Sequence, residues 1–263
     1  MYLMEDGRVR MKIRQGLVAL IVVALVSPAL AQEQITLVAP GGAKAAMDVL
    51  LPKFEAETGN KVKATFGSGL GTKKQAAEGI FDVSIAQPPF PEVLAAGNVD
   101  VKSQTPLASV AVGVAVKKGA PRPDISNAEA VKAMLLAAKS VTYPDAAGGA
   151  AAGVSFEATL KQLGIADQIA AKIKRAQGGA GAMALVAKGE VDVGLTFMSE
   201  MQDPRIDVVG PLPASISRPT ELVGLVSVHS RHPDLAGALL KFLSGPAAAP
   251  VYRAQGLQPL EVK

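Results

Sequence analysis

From residue 35 onward, short apolar runs of strand character alternate with segments whose apolar residues recur at helical spacing, and that order admits few architectures. ITLVA (35–39) reads as a strand. Residues 45–58 then carry Met47, Val49, Leu50, Phe54 and Ala56 as a helix-period stripe that stops at Gly59. Residues 61–66 alternate as a strand, 72–78 read as a helix and FDVSIA (81–86) as a further strand, which completes a βαβαβ start. After Pro106 the pattern restarts, with strands expected at 110–116, 140–143, 173–176 and 191–197. Helices are expected at 127–138, capped by Asn127, at 153–163 and at 181–188. A Pro-rich connection (203–219) leads to a strand at 222–228 and to closing helices at 233–243 and 247–254. Alternation of this kind specifies the α/β class.

Two segments resemble each other. "AEGIFDVSI" (77–85) and "AKGEVDVGL" (187–195) share a helix end, a glycine, two residues, Asp-Val and a strand continuation. In an Ala- and Gly-rich chain chance also produces such a match; read as a repeat, it predicts two similar α/β lobes. If 110–116 and 222–228 are crossover strands, residues 32–111 with 225–263 form one lobe, residues 112–224 form the other, and a cleft lies between them.

Four glycine-rich stretches stand between a strand and a helix: "PGGAK" (40–44), "FGSGLGT" (66–72), "AAGGAAAG" (146–153) and "QGGAGA" (177–182). The first amides of a helix lack internal partners, and the aligned peptide dipoles put partial positive charge there. Glycine lets those amides approach an anion closely, so each stretch is a potential oxyanion cradle. Each also fits a tight turn between strand and helix. Four facing across a cleft would enclose a small anion without any charged side chain.

The leader qualifies this picture. A basic start (Met11 to Arg14), an apolar run from Leu17 to Val26 and the small-x-small site Ala29-Leu30-Ala31 read as a secretory signal peptide (1–31) cut after Ala31, with Met1 or Met11 as the start. The apolar run is too short to span a bilayer, which takes about 20 residues. Export fits a chain of 263 residues without Cys. The net charge of +4 is scattered, and three Tyr, seven Phe and no Trp offer little for base stacking, so nucleic acid is not an expected partner.

"GAGAMA" (179–184) matches a dinucleotide fingerprint but follows the polar run KIKRA, and no phosphate-transfer loop frames Gly71. No zinc or calcium motif is present, so no metal and no cofactor are expected. The nucleophile-elbow motif is absent. His229 and His232 sit in a turn before a helix, and Asp82 and Asp192 begin apolar strands, where ordering of neighbouring loops is the expected role.

The segments "ITLVAPGGAKAAMDVLLPKFEAETGNKV", "FGSGLGTKKQAAEGIFDVSIA", "SFEATLKQLGIADQI", "GAMALVAKGEVDVGLTF" and "FLSGPAAAPVYRAQGL" together resemble the periplasmic molybdate-binding proteins of ABC importers, and more broadly type II solute-binding proteins. The resemblance runs from Ile35 to Gly256. It implies a two-lobed periplasmic binding protein fold, each lobe a mixed sheet flanked by helices, joined by two crossover strands. It also implies a monomeric periplasmic receptor that presents molybdate or tungstate to a membrane ABC permease.

Carried over locally, the family's first ligand serine falls at Gly42, beside Gly41, and its second at Ser68, beside Gly69. The third cradle falls at Ala152 and Gly153, the fourth at Gly179 and Ala180, and the ligand tyrosine at Phe197. Gly42 and Phe197 each lack the family's hydroxyl. Gly42 is expected to open space and Phe197 to offer an apolar face, which would suit a small carboxylate, with Lys44, Lys73 or Arg175 near enough in sequence to pair with it. Such chains also resemble aconitate isomerase, which keeps an enzyme acting on a small polycarboxylate as the alternative, with Lys44, Lys73 or Tyr143 as weak candidates for the base.

Overall fold

A computed structural model describes residues 32–79 and 81–260; the expected signal peptide lies outside the described residues. Residues 32–260 contain two mixed sheets with helices packed on them. In the first sheet, β1 (Gln34–Pro40) is flanked in parallel by β2 (Lys61–Gly67) and β3 (Val83–Ala86). In the second, β6 (Val141–Pro144) is flanked in parallel by β7 (Ile173–Ala176) and β8 (Val193–Phe197). Antiparallel strands complete both. β4 (Val99–Val110), β10 (Thr220–Ser227) and β11 (Gln258–Pro259) give the first sheet the order β11-β4-β10-β3-β1-β2. β5 (Val112–Lys117) and β9 (Ile206–Pro211) give the second the order β7-β6-β8-β5-β9.

Five strands of the two plans coincide, β1, β2, β3, β10 and β4 matching β6, β7, β8, β5 and β9, and β11 has no counterpart. The repeat read from the sequence thus falls on equivalent strands, β3 and β8. Its aspartates do equivalent work. Asp82 accepts from the amide and hydroxyl of Thr36 on β1 at 2.8 and 2.7 Å, and Asp192 accepts from the amide of Lys139 just before β6 at 2.8 Å. Burial works against ionised Asp82, but the Thr36 amide and the Ser230 and Thr36 hydroxyls outweigh it and hold the carboxyl below its ordinary value.

Four helices follow the parallel strands directly: α1 (Gly41–Thr58) after β1 and α2 (Gly69–Glu78) after β2 in the first lobe. After the short α3 (Pro91–Ala95) and α4 (Ala128–Ala137) come α5 (Ala151–Leu163) behind β6, α6 (Ala166–Ile169), and α7 (Gly178–Lys188) behind β7. α8 (Pro233–Ser244) and α9 (Ala249–Ala254) return to the first lobe, where Phe242 meets Phe54 of α1 with ring centroids 5.6 Å apart. Apolar residues of β1 and of the facing side of α1, such as Ile35, Leu37, Met47 and Leu50, are almost fully buried and anchor that start. In the second lobe Tyr143 meets Phe156 edge to face at 4.9 Å.

Three departures from the sequence reading have local causes. The expected strand 110–116 is two strands in different sheets: the ladder breaks at Ala111, whose carbonyl accepts from the Met198 amide, and the chain crosses between lobes there. The expected Pro-rich connection contains β9, which pairs with β5 through a register shift. β4 begins well before 110 and tolerates Pro106 because the ladder with β10 is irregular beside it.

Candidate functional site

The carboxyl ends of the parallel strands of both sheets face one cleft of about 620 Å³. That is where an open α/β sheet places its ligand. The four glycine-rich stretches converge on it, but they are not linkers before helices. Gly41, Gly69 and Gly178 are the first residues of α1, α2 and α7, and the third stretch runs into α5, so four helix starts rim one cavity, although in α2 the Leu70 amide donates to the Gly149 carbonyl at 3.3 Å and only the Gly69 amide is left over. Ser68 caps α2, its Oγ accepting from the Gly71 amide at 3.0 Å. The hydroxyl proton stays available to the cleft.

Among the residues singled out from the sequence, Gly41, Gly42, Ser68 and Gly69 line the cleft from one lobe. Ala152, Gly179 and Phe197 line it from the other. Gly153 and Ala180 do not. A Cβ at Gly153 would stand 2.0 Å from the Pro144 carbonyl oxygen, so this glycine lets α5 pack against the end of β6. Ala180 is exposed on α7.

Nor does Gly42 open space. A Cβ there would lie 2.9 Å from the Phe197 ring, which is only 2% exposed. The two departures from the family pattern are therefore one feature, an aromatic ring packed on a bare backbone. Ser199 fastens this junction between lobes, its Oγ donating to the Gly42 carbonyl at 2.7 Å.

The residue that sequence reasoning missed is Glu200. It follows β8 by one turn and lines the cleft. Its side chain lies across the starts of α1 and α7: a Cβ at Gly41 would be 3.2 Å from Oε1, and one at Gly179 would be 2.3 Å from Oε2 and 2.6 Å from Thr196 Oγ1. Those glycines make room for the protein's own carboxyl. Burial pushes the Glu200 carboxyl above its ordinary value, opposed by the donating Thr196 hydroxyl and by the Phe197 amide. Held there, Glu200 can accept from a ligand when ionised and donate to one when protonated.

The cationic candidates separate. Arg175 lines the cleft, pairs with Glu157 at 2.7 Å and lies 4.2 Å from the centroid of the Tyr143 ring. Lys44 pairs with Asp48 on the exposed side of α1 at 2.6 Å, and Lys73 donates to the Pro89 carbonyl at 2.6 Å beside an adjoining groove. Tyr143 is buried away from the cleft lining; burial above all pushes its phenol up to about 12, which removes it as a base. Among the described residues, no group of three or more His, Asp or Glu side chains gathers that could hold a metal ion.

Residues 35–258 match the model of a family described as bacterial extracellular solute-binding protein. The chain belongs to this family. The solute-binding protein is 30% identical over 237 residues, 86% of its own length and 88% of the relative's, to an aconitate isomerase from a Pseudomonas species. Its fold is that of the Azotobacter vinelandii periplasmic molybdate-binding protein (TM-score 0.72, 18% identity, 87% of this chain and 100% of that one). It is also that of the sulfate-binding protein SubI from Mycobacterium tuberculosis (TM-score 0.70, 21% identity, 87% and 88% covered). At these identities the two structures speak for the two-lobed architecture.

A signal for Glu200 was present in the sequence. "TFMSE" (196–200) carries an acidic residue just beyond an apolar strand of a repeat whose other copy runs "IAQ" (85–87), and both copies end at the cleft.

Proposed function

We propose that this chain is a periplasmic receptor that captures a small organic polycarboxylate between its lobes and presents the closed form to an ABC permease. The observation that carries this reading is the Glu200 carboxyl, which occupies the first turns of α1 and α7. Glu200 crowds the starts of α1 and α7, which leaves the Gly69 amide of α2 and the first turn of α5 for a ligand. Molybdate and tungstate, the ligands expected from the sequence, are dianions that present only acceptors. Beside the ionised form of Glu200 they meet like charge without a shared proton, and only its protonated form, which burial favours, could donate to them. A ligand carrying a hydroxyl or a protonated carboxyl, with its other carboxylates on the Gly69 amide and the α5 amides and near Arg175, meets complementary partners instead. A cleft of about 620 Å³ has room for an organic acid with several carbons.

A second reading is supported by the same side chain and by the 30% identical aconitate isomerase. Glu200 could take a proton from a methylene next to a carboxyl. The electron pair then shifts across the adjacent double bond, and the proton returns at its far carbon; no cofactor is consumed. Lys44 and Tyr143 do not line the cleft and are set aside as the base.

The test is a thermal-shift panel of citrate, tricarballylate, trans-aconitate, molybdate, tungstate and sulfate, followed by calorimetry. A ligand at 100 times its Kd adds about 2.7 kcal/mol of stability. The reading requires the shift with polycarboxylates; a shift confined to molybdate and tungstate would sink it. Deuterium entering trans-aconitate from D2O during isomer exchange, and stopping in Glu200→Gln, would select the enzyme reading.

A further inference from the structure

Gln87 directly follows β3, at the point where Phe197 ends β8 in the other copy of the repeat. It lines the cleft on one side and the adjoining groove on the other. Its side chain is 4% exposed, and neither Nε2 nor Oε1 has a hydrogen-bond partner. An amide shut away from water with nothing to bond is costly, and folded proteins rarely keep one without a use for it. Space for it is made deliberately: a Cβ at Gly69 would stand 2.3 Å from Gln87 Oε1, so the first residue of α2 is bare where the amide lies.

We propose that Gln87 is a ligand-contact residue whose amide pairs with one carboxyl group of the bound polycarboxylate, and that it helps the cleft prefer carboxyl groups to tetraoxoanions. The proposal rests on the polycarboxylate reading given above. The chemistry follows from the atoms. Nε2 donates to a carboxylate oxygen and Oε1 accepts from a protonated carboxyl or a hydroxyl, so the amide satisfies both edges of a protonated carboxyl, or of a carboxylate with a hydroxyl beside it. A fully deprotonated tetraoxoanion offers nothing to Oε1. The Gly69 amide at the start of α2 lies next to the same side chain and shares the ligand's charge.

An orphaned amide makes an unusual prediction, because stability and affinity should move in opposite directions on its removal. Gln87→Met keeps the length of the side chain and discards the unsatisfied atoms. Its melting temperature without ligand should rise by a few degrees, while calorimetric affinity for citrate, tricarballylate or trans-aconitate should fall at least tenfold. Gln87→Glu, nearly the same shape, should lose more affinity for these ligands between pH 5 and pH 8 than wild type does, because its added charge repels theirs. A Gln87→Met protein that is less stable yet binds within twofold of wild type makes Gln87 a packing residue and overturns the inference. Raised stability with unchanged affinity overturns it equally. Wild type that binds none of the three acids would instead bring down the polycarboxylate reading, and the inference with it.

Discussion

Replacing Gly179 by Ala asks directly whether the bare backbone at the start of α7 serves the Glu200 carboxyl. The new methyl would stand 2.3 Å from Glu200 Oε2, 2.5 Å from its Cδ and 2.6 Å from Thr196 Oγ1, each well inside van der Waals contact. Thr196 is fully buried and cannot yield far, so Glu200 must move and give up the Thr196 hydrogen bond. Overpacking costs about 1–3 kcal/mol, and a hydrogen bond to a carboxylate is worth about 1.5–3 kcal/mol. Exchanging Gly for Ala in a helix returns up to about 1 kcal/mol. The net loss should be about 2–4 kcal/mol, or roughly 4–16 °C in Tm for a chain of this size. Equilibrium denaturation of Gly179→Ala, Glu200→Ala and the double variant measures the coupling. With the carboxyl gone, the part of the penalty owed to Glu200 should vanish while the 2.6 Å contact with Thr196 Oγ1 persists, leaving an interaction energy of at least about 1 kcal/mol. A silent single variant, or an equal penalty in both backgrounds, would refute the assignment of this glycine to Glu200.

Gly153→Ala should be costlier, about 3 kcal/mol or more by denaturation, because its methyl meets the Pro144 backbone oxygen at 2.0 Å and no flexible group can give way. Gly42→Ala should lose about 1–2 kcal/mol and recover most of it in a Phe197→Leu background, since the clash is with that ring alone. Because burial holds the Glu200 carboxyl above its ordinary value, its contribution to stability is present below the ordinary carboxylate range and is lost as pH rises through its folded value. Tm measured from pH 5 to pH 8 should therefore fall less in Glu200→Gln than in wild type. Arg175→Ala should weaken polycarboxylate binding roughly 10–100-fold, the worth of one charged hydrogen bond, and make the calorimetric Kd less sensitive to salt.

The α/β class, the parallel strands and the two-lobe plan were legible because strands such as β1, β3 and β8 are short, mainly apolar runs, and because the Asp-Val repeat marks equivalent strands. Helix starts were not. α1, α2 and α7 begin at Gly41, Gly69 and Gly178 rather than at Ala45, Thr72 and Gly181. Glycine's weak helix propensity reads as loop, yet these first turns need missing side chains where Glu200 and Gln87 lie close. The same blindness hid the site's chemistry. Local pattern assigns the glycines to a ligand, whereas Glu200 and Phe197 reach Gly41 and Gly42 from more than 150 positions further along the chain, which only the fold brings together.

A crystal structure of the protein with trans-aconitate would test the central claim most directly. The account predicts carboxylates on the Gly69 amide and on the first-turn amides of α5, one carboxyl against Gln87, and Glu200 still seated across Gly41 and Gly179. A ligand lodged instead at the starts of α1 and α7, with Glu200 turned out of the cleft, would contradict it.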